Sequence, residues 1–304
     1  MKIAIIGPGA LGCLMAAFLA EAGNEVWLLD HDVIRASRLS DQGLILEKGG
    51  VRRIIYVKAS AEASEIGPVE ATLLCVKSHD VSSALKRSIP ILTSNTLLIA
   101  FQNGILHLDV LKNELGRANR AIGVTSLGST LIGPGHVRHG GSGITRIGFL
   151  ESAGNSLYRS ARVLTDAGIE TRPVDNILEH VWSKLLISVG INGLTAILNC
   201  PNGALLDSRS ATERMIEAVR EACAVAEAKS IRITGDPVAM TKEVCKSTAG
   251  NISSMLQDVR KKQLTEIDAI NGAIVEEGAR LGIPTPINRE LVREIKEIEK
   301  KYNA

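Results

Sequence analysis

Lys2–Ile6 is a short β-branched apolar run that leads straight into Gly7-Pro8-Gly9-Ala10-Leu11-Gly12, and an apolar helical pattern continues from Leu11 to Ala22. A strand feeding a glycine turn that opens a helix is the strongest constraint on what this chain folds into. Each glycine answers a physical need. Gly7 permits a tight turn, Gly9 lets backbone approach a pyrophosphate, and Gly12 allows helix and strand to pack closely. The free N–H groups at the helix start carry partial positive charge suited to phosphates. Gly23-Asn24 ends the helix, Glu25–Leu29 reads as a second strand, and Asp30 closes it. This is one βαβ unit of ~30 residues. Gly7, Pro8, Gly9, Ala10, Leu11 and Gly12 are candidate cofactor contacts.

Asp30 stands near the ~20-residue spacing at which an acidic side chain meets the adenosine ribose. A carboxylate there accepts hydrogen bonds from both ribose hydroxyls and repels a 2′-phosphate, which favours NAD(H). His31 and Arg35 lie close by and keep a phosphate clamp open as an alternative. A helix N-cap is the other reading of Asp30.

Further strands are expected at Ala71–Val76 and Thr96–Phe101, with a helical pattern from Val81 between them. Gly49-Gly50 predicts a hairpin-like turn between Gly43–Leu46 and Val51–Val57. Strand-like segments follow near Ala121–Ser126, Gly135–His139 and Ile144–Phe149, then a helix around Ser156–Asp166 and a strand at Ile169–Arg172. Ligands bind beyond the carboxyl ends of parallel strands. Lys77 and Asn103 follow two such strands and are candidates for contacting cofactor or substrate; a surface lysine and an Asn-Gly turn are the plainer readings.

From Asn176 to Ile298 the pattern is helical, interrupted at Asn199–Gly203, Gly235–Pro237 and Gly282–Pro286. The expected architecture is α/β: an N-terminal Rossmann-type parallel-sheet domain over residues 1–174, then an all-helical C-terminal domain over 175–304. Lys184, Ser188 and Asn192 share one face of a helix whose other positions are mostly apolar. Such a stripe faces either a cleft or solvent. Helix faces near Met215–Ala228 pack either within or between subunits, and a homodimer is one expectation.

Composition narrows the function classes. Net charge is +2, from 35 basic and 33 acidic residues, and aromatics are 3%. No basic excess neutralises phosphates and few rings stack on bases, so no nucleic-acid partner is expected. The five cysteines, Cys13, Cys75, Cys200, Cys223 and Cys245, are scattered without a CxxC pair. That argues against a disulfide framework or zinc site and fits a reducing, cytoplasmic setting. His136 and His139 form an HxxH on a strand-like segment and read as surface residues, so no metal is expected. No 18 apolar residues run uninterrupted, so no membrane span is expected. Gly7-Pro8-Gly9 breaks the early apolar stretch, which rejects a lipoprotein leader ending at Cys13.

Several segments together resemble the 2-dehydropantoate 2-reductase (ketopantoate reductase) family. They are Gly7–Gly12, Val76-Lys77, Gln102-Asn103-Gly104, Trp182-Ser183-Lys184-Leu185, Asn192-Gly193-Leu194-Thr195-Ala196 and Cys200-Pro201-Asn202-Gly203. Most specific is Asn251-Ile252-Ser253-Ser254-Met255-Leu256-Gln257-Asp258, followed by Thr265-Glu266-Ile267-Asp268 and Ile270-Asn271-Gly272. The resemblance spans most of the chain. It implies reduction of 2-dehydropantoate to (R)-pantoate on the way to pantothenate and coenzyme A, ordinarily with NADP(H). Carried over by motif, Lys184 is the general acid for the 2-oxo oxygen, and Glu266 binds substrate and partners that lysine. Asn103, Asn192, Asn202, Asn251 and Ser254 are substrate-side candidates. Ser188 stands where the family usually has asparagine, which implies a weaker contact. Asp30-His31 replaces the arginine many members carry, so the family's cofactor and the one Asp30 suggests differ. Other readings are a related 2-oxo or 3-hydroxy acid dehydrogenase and a non-catalytic NAD(P)-sensing protein.

A straight helix from Asn251 to Leu281 would put Ser254 and Glu266 ~18 Å apart along its axis, too far to share a small keto acid. A break near Lys261–Leu264 is therefore expected, with Thr265 capping the next helix.

Overall fold

The computed structural model describes residues 1–114, 119–150 and 155–302. It forms two compact units: Met1–Gln102 with Leu108–Ile177, and Asn103–His107 with Leu178–Ala304. Residues 103–107, expected in the first domain, thus pack with the second unit. Ile105 N–H donates to the Ala269 carbonyl at 3.3 Å. Gly104 lies so close that a Cβ there would sit 1.9 Å from the same oxygen.

The first unit is α/β. In chain order it holds β1 (Lys2–Ile6), α1 (Ala10–Glu21), β2 (Glu25–Leu29), α2 (Val33–Gln42), β3 (Leu44–Lys48), β4 (Val51–Ile55), β5 (Lys58–Ser60), α3 (Ala63–Ile66), β6 (Ala71–Leu74), α4 (Val81–Ser88) and β7 (Leu97–Ala100). Then come α5 (Leu106–Glu114), whose first two residues belong to the other unit, β8 (Asn119–Val124), β9 (Gly128–Gly133), β10 (His136–Gly141), β11 (Thr145–Phe149), α6 (Asn155–Asp166) and β12 (Thr171–Pro173). One sheet runs β12-β11-β8-β7-β6-β1-β2-β5. From β5 to β8 all its pairings are parallel; β11 joins β8 antiparallel. β1 pairs with β2 on one side and β6 on the other. The strand order therefore reverses there, and such a sheet leaves a crevice at that point.

A second sheet, β4-β3-β10-β9, covers α1. That explains why α1 is apolar all round. Cys13, Leu14, Met15, Ala16, Ala17, Phe18 and Leu19 are all buried, and Leu44, Leu46 and Val137 of the small sheet join the same core. The hairpin across Gly49-Gly50 forms as expected. The short strands β5 and β9 and the helix α2 were not legible, since each depends on a neighbour for its pairing or buried face.

The second unit is helical: α7 (Ile177–Leu198), α8 (Arg209–Ala228), α9 (Pro237–Ser247), α10 (Ser254–Arg260), α11 (Ala273–Leu281) and α12 (Pro286–Lys300). α7 is long and apolar enough to cross a membrane by length and composition, which the test for an uninterrupted apolar run missed; 61% of that stretch is buried inside the structure. Trp182, Leu185, Leu186, Val189 and Leu194 place it in the core of its own unit. On α8, Met215, Ala218, Val219, Ala222, Val225 and Ala226 are buried, so that face packs within the chain.

The expected break after α10 is present. Lys261 and Lys262 turn the chain, with Lys262 at a φ of 53°. A π-helical turn, Asp268–Gly272, then leads into α11. Thr265 acts differently from the expected cap. Its Oγ1 accepts from Ile267 N–H at 3.2 Å and donates to Glu299 at 2.7 Å.

Candidate active site

The glycine loop meets the demands of a dinucleotide. Gly7 has a φ of +92°, and a Cβ on it would lie 2.6 Å from Val76 at the end of β6. A Cβ on Gly12 would lie 2.2 Å from the Gly7 carbonyl oxygen. Nothing stands within 4 Å of a Cβ position on Gly9, the space a side chain would take from an approaching phosphate. Gly9 precedes α1 without a side-chain cap, so the N–H groups of Ala10, Leu11 and Gly12 are left for an anion. These residues fit a pyrophosphate.

Asp30 ends β2 as expected, but its carboxylate already has partners. Arg35 Nε and Nη2 donate to it, the latter at 2.6 Å, and Asp32 N–H donates at 3.2 Å. Burial alone would raise the Asp30 pKa, but the Arg35 guanidinium and the Asp32 N–H outweigh it and hold the carboxyl below its usual range. Asp32, not Asp30, caps α2, accepting from Arg35 N–H at 2.9 Å. Lys77 sits half-buried past the end of β6. Gln102 ties that strand end to β7, donating from Nε2 to Leu74 at 2.9 Å and Val76 at 3.0 Å.

The second unit assembles the other candidates from three separate stretches of chain. Asn103 Nδ2 donates to Glu266 Oε2 at 2.9 Å across 163 residues of sequence. Glu266 is 6% exposed. Its carbonyl accepts from Ala269 and Ile270 in the π-helical turn, at 3.0 and 3.1 Å. On its other side Thr265 N–H is held by Glu299 at 2.8 Å. Lys184 lies half-buried on α7. Desolvation lowers its pKa, and the Glu266 carboxylate pulls it back up. An ammonium and a carboxylate that feel each other's charge, with an amide fixing the carboxylate, can polarise a carbonyl and deliver a proton.

Ser188 and Asn192 continue the Lys184 face of α7, both half-buried. Asn251 and Ser254 are exposed at the start of α10. Their neighbour Ser253 caps that helix, accepting from Leu256 N–H at 3.1 Å, and its Oγ is 2.7 Å from Thr195 Oγ1 on α7. This bond sets the start of α10 against α7, three residues beyond Asn192. Asn202 is otherwise engaged: its Nδ2 donates to Thr248 at 2.9 Å and its N–H to Asn251 at 3.0 Å. These bonds brace the loop before α10, and its Oδ1 has no hydrogen-bond partner among the described residues.

Sequence reading missed Arg35 as the partner of Asp30, and it missed His107. His107 is 1% exposed, with neither ring nitrogen bonded among the described residues. A polar residue four places beyond Asn103 was the only signal. Of the HxxH pair, His136 Nε2 lies 3.4 Å from Glu47 and His139 packs edge-on against Phe18. No group of three His, Cys, Asp or Glu among the described residues is arranged to hold a metal.

The chain is similar to known proteins along its whole length. The family described as Ketopantoate reductase PanE/ApbA matches residues 3–152, and Ketopantoate reductase PanE/ApbA C terminal matches residues 176–299. The 2-dehydropantoate 2-reductase of Halobacterium salinarum is 31% identical over 293 residues, 96% of each chain. That of Pyrococcus horikoshii is 32% identical, over 95% of this chain and 94% of its own. Among solved structures, a PanE/ApbA family ketopantoate reductase from Ralstonia eutropha matches with a TM-score of 0.92 at 32% identity, covering both chains fully. D-mandelate dehydrogenase with NADH and anilino(oxo)acetate matches with a TM-score of 0.94 at 28% identity, again over both whole chains.

Proposed function

The chain belongs to the ketopantoate reductase family and is an oxidoreductase of that type, and on that premise we propose that it reduces 2-dehydropantoate to (R)-pantoate, a step towards pantothenate and coenzyme A. The observation that carries this reading is the cluster of Lys184, Glu266 and Asn103 in the second unit, in which Asn103 holds the carboxylate whose charge acts on the lysine. A reduced nicotinamide, when bound, would supply the hydride for the 2-oxo carbon. Charge then grows on the 2-oxo oxygen, where the Lys184 ammonium stabilises it and gives up a proton, an effect typically worth ~10²–10⁴-fold. Asn192, Asn251 and Ser254 are neutral donors suited to the substrate carboxylate. Glu266 suits the substrate hydroxyl as an acceptor.

The cofactor reading favours NADH. Asp30 stands where a 2′-phosphate would approach, and the similar D-mandelate dehydrogenase has been solved with NADH. Ribose hydroxyls bound there compete with Arg35 for the carboxylate. A second reading, reduction of another 2-oxo acid, is favoured by the likeness to D-mandelate dehydrogenase. The test is oxidation of NADH and NADPH by the purified protein with 2-dehydropantoate, phenylglyoxylate and other 2-oxo acids. Consumption with 2-dehydropantoate at far higher kcat/KM than with the rest is the expected result. Turnover confined to aryl or alkyl acids defeats the substrate assignment, and a strong NADPH preference defeats the cofactor assignment.

A further inference from the structure

His107 stands apart from every group accounted for so far. It lies four residues beyond Asn103, at the start of α5, in the short segment that packs with the helical unit. That segment is pinned to the chain around Glu266 at two points: Asn103 Nδ2 to the Glu266 carboxylate at 2.9 Å, and Ile105 N–H to the Ala269 carbonyl at 3.3 Å. The ring is 1% exposed, and neither Nδ1 nor Nε2 has a hydrogen-bond partner among the described residues. Buried polar groups are almost always paired, and an unpaired one in a native fold calls for a ligand or an ordered water. A histidine kept only for packing would be served as well by leucine or phenylalanine, without that cost.

The segment that carries it holds Asn103 against the Glu266 carboxylate, and Glu266 and Lys184 shift the imidazole pKa in opposite directions, the first raising it and the second lowering it. Burial, the larger effect, brings its pKa down to about 4. The ring is neutral at physiological pH, with one N–H donor and one acceptor nitrogen. A neutral donor beside a carboxylate that is already an acceptor forms a matched pair for an alcohol. A hydroxyl gives its proton to one partner and takes a hydrogen bond on oxygen from the other.

We propose that His107 is a specificity-determining residue that donates a hydrogen bond to the hydroxyl of a hydroxylated 2-oxo acid while Glu266 accepts that hydroxyl's proton. It rests on the keto-acid reading of the Lys184–Glu266–Asn103 cluster and adds to it a second residue, His107, that recognises the substrate hydroxyl. A site built around a hydroxyl rejects the analogue lacking it, because its buried polar groups are then left unpaired. Aryl and alkyl 2-oxo acids leave the His107 N–H stranded.

The test compares 2-dehydropantoate with 3,3-dimethyl-2-oxobutanoate, which differs only in lacking the hydroxyl. Dissociation constants come from calorimetry with NAD⁺ present, and KM and kcat from steady-state rates. Wild-type protein is expected to bind the hydroxylated acid at least roughly tenfold tighter. His107→Leu should erase most of that difference by weakening only the hydroxylated acid, and His107→Asn, which keeps a donor, should restore part of it. Thermal melting and NADH affinity serve as checks on folding, with His107→Asn standing in should the leucine variant not fold. Equal losses for both acids, or no wild-type preference for the hydroxyl, overturn the proposal. Selective binding without NADH consumption would instead sink the reductase reading and leave the hydroxyl assignment standing.

Discussion

The role proposed for Lys184 depends on where its ammonium sits. Desolvation lowers its pKa and the Glu266 carboxylate opposes that shift, so its proton is given up more readily than from a solvated lysine. Lys184→Ala is expected to lower kcat with 2-dehydropantoate by ~10²–10⁴-fold while leaving NADH affinity unchanged. The alkaline limb of the wild-type kcat profile should fall below the ordinary lysine range, because activity needs the protonated form and its pKa is depressed. A limb at or above 10.5, the unshifted value, would contradict the assignment. Asp30 is the second residue whose role turns on its surroundings. Spacing alone makes it a ribose ligand, but Arg35 and Asp32 hold its carboxylate. Asp30→Ala should narrow the ratio of NADH to NADPH affinity, read by nicotinamide fluorescence titration, because the charge that repels a 2′-phosphate is gone. An unchanged ratio would remove Asp30 from cofactor choice.

At the scale of elements, the most specific motif proves mainly architectural. Ser253 caps α10 and bonds Thr195. Asn271 Nδ2 donates to Val189 on α7 at 3.1 Å and to Asn288 on α12 at 3.0 Å. Glu299 reaches from α12 to hold both the N–H and the hydroxyl of Thr265. These bonds hold the break that lets Glu266 leave the line of α10. Glu299→Ala should therefore cost about 1–3 kcal/mol in chemical denaturation, since it strands buried donors, and should raise KM by displacing Glu266. A KM equal to wild type would separate the strut from the site. In the glycine loop, Gly12→Ala places a Cβ where the Gly7 carbonyl stands. Melting and NADH titration should show a loss of about 1–3 kcal/mol and at least a tenfold weaker cofactor complex.

Across the whole molecule, two groups tie stability to pH in the same direction. Unfolded, His107 takes a proton below its ordinary value of 6.5, whereas the folded ring resists until about 4. Its contribution is complete above the first value and lost as pH falls towards the second, on the order of 3 kcal/mol. Glu299 extends the loss to lower pH. Burial would raise its pKa, but bonds from Thr265 and Lys296 depress it below 4.5, so its stabilisation fades as acid protonates it. Denaturation midpoints measured between pH 7 and about 4 should fall for wild type and stay flatter for His107→Leu. Parallel curves would mean that the imidazole is hydrated after all.

The strand–glycine turn–helix, the hairpin at Gly49-Gly50 and the change to helices after Pro173 were determined by the sequence itself, because each follows from local dihedral preference and hydrophobic period; the break after α10 followed from the distance that a straight helix would put between Ser254 and Glu266. The tertiary structure alone decided that residues 103–107 join the helical unit, that Asn103 holds Glu266, that Arg35 occupies Asp30 and that His107 is buried without a hydrogen-bond partner among the described residues. Those outcomes depend on which distant surfaces exclude water together, and spacing along one chain carries no record of that.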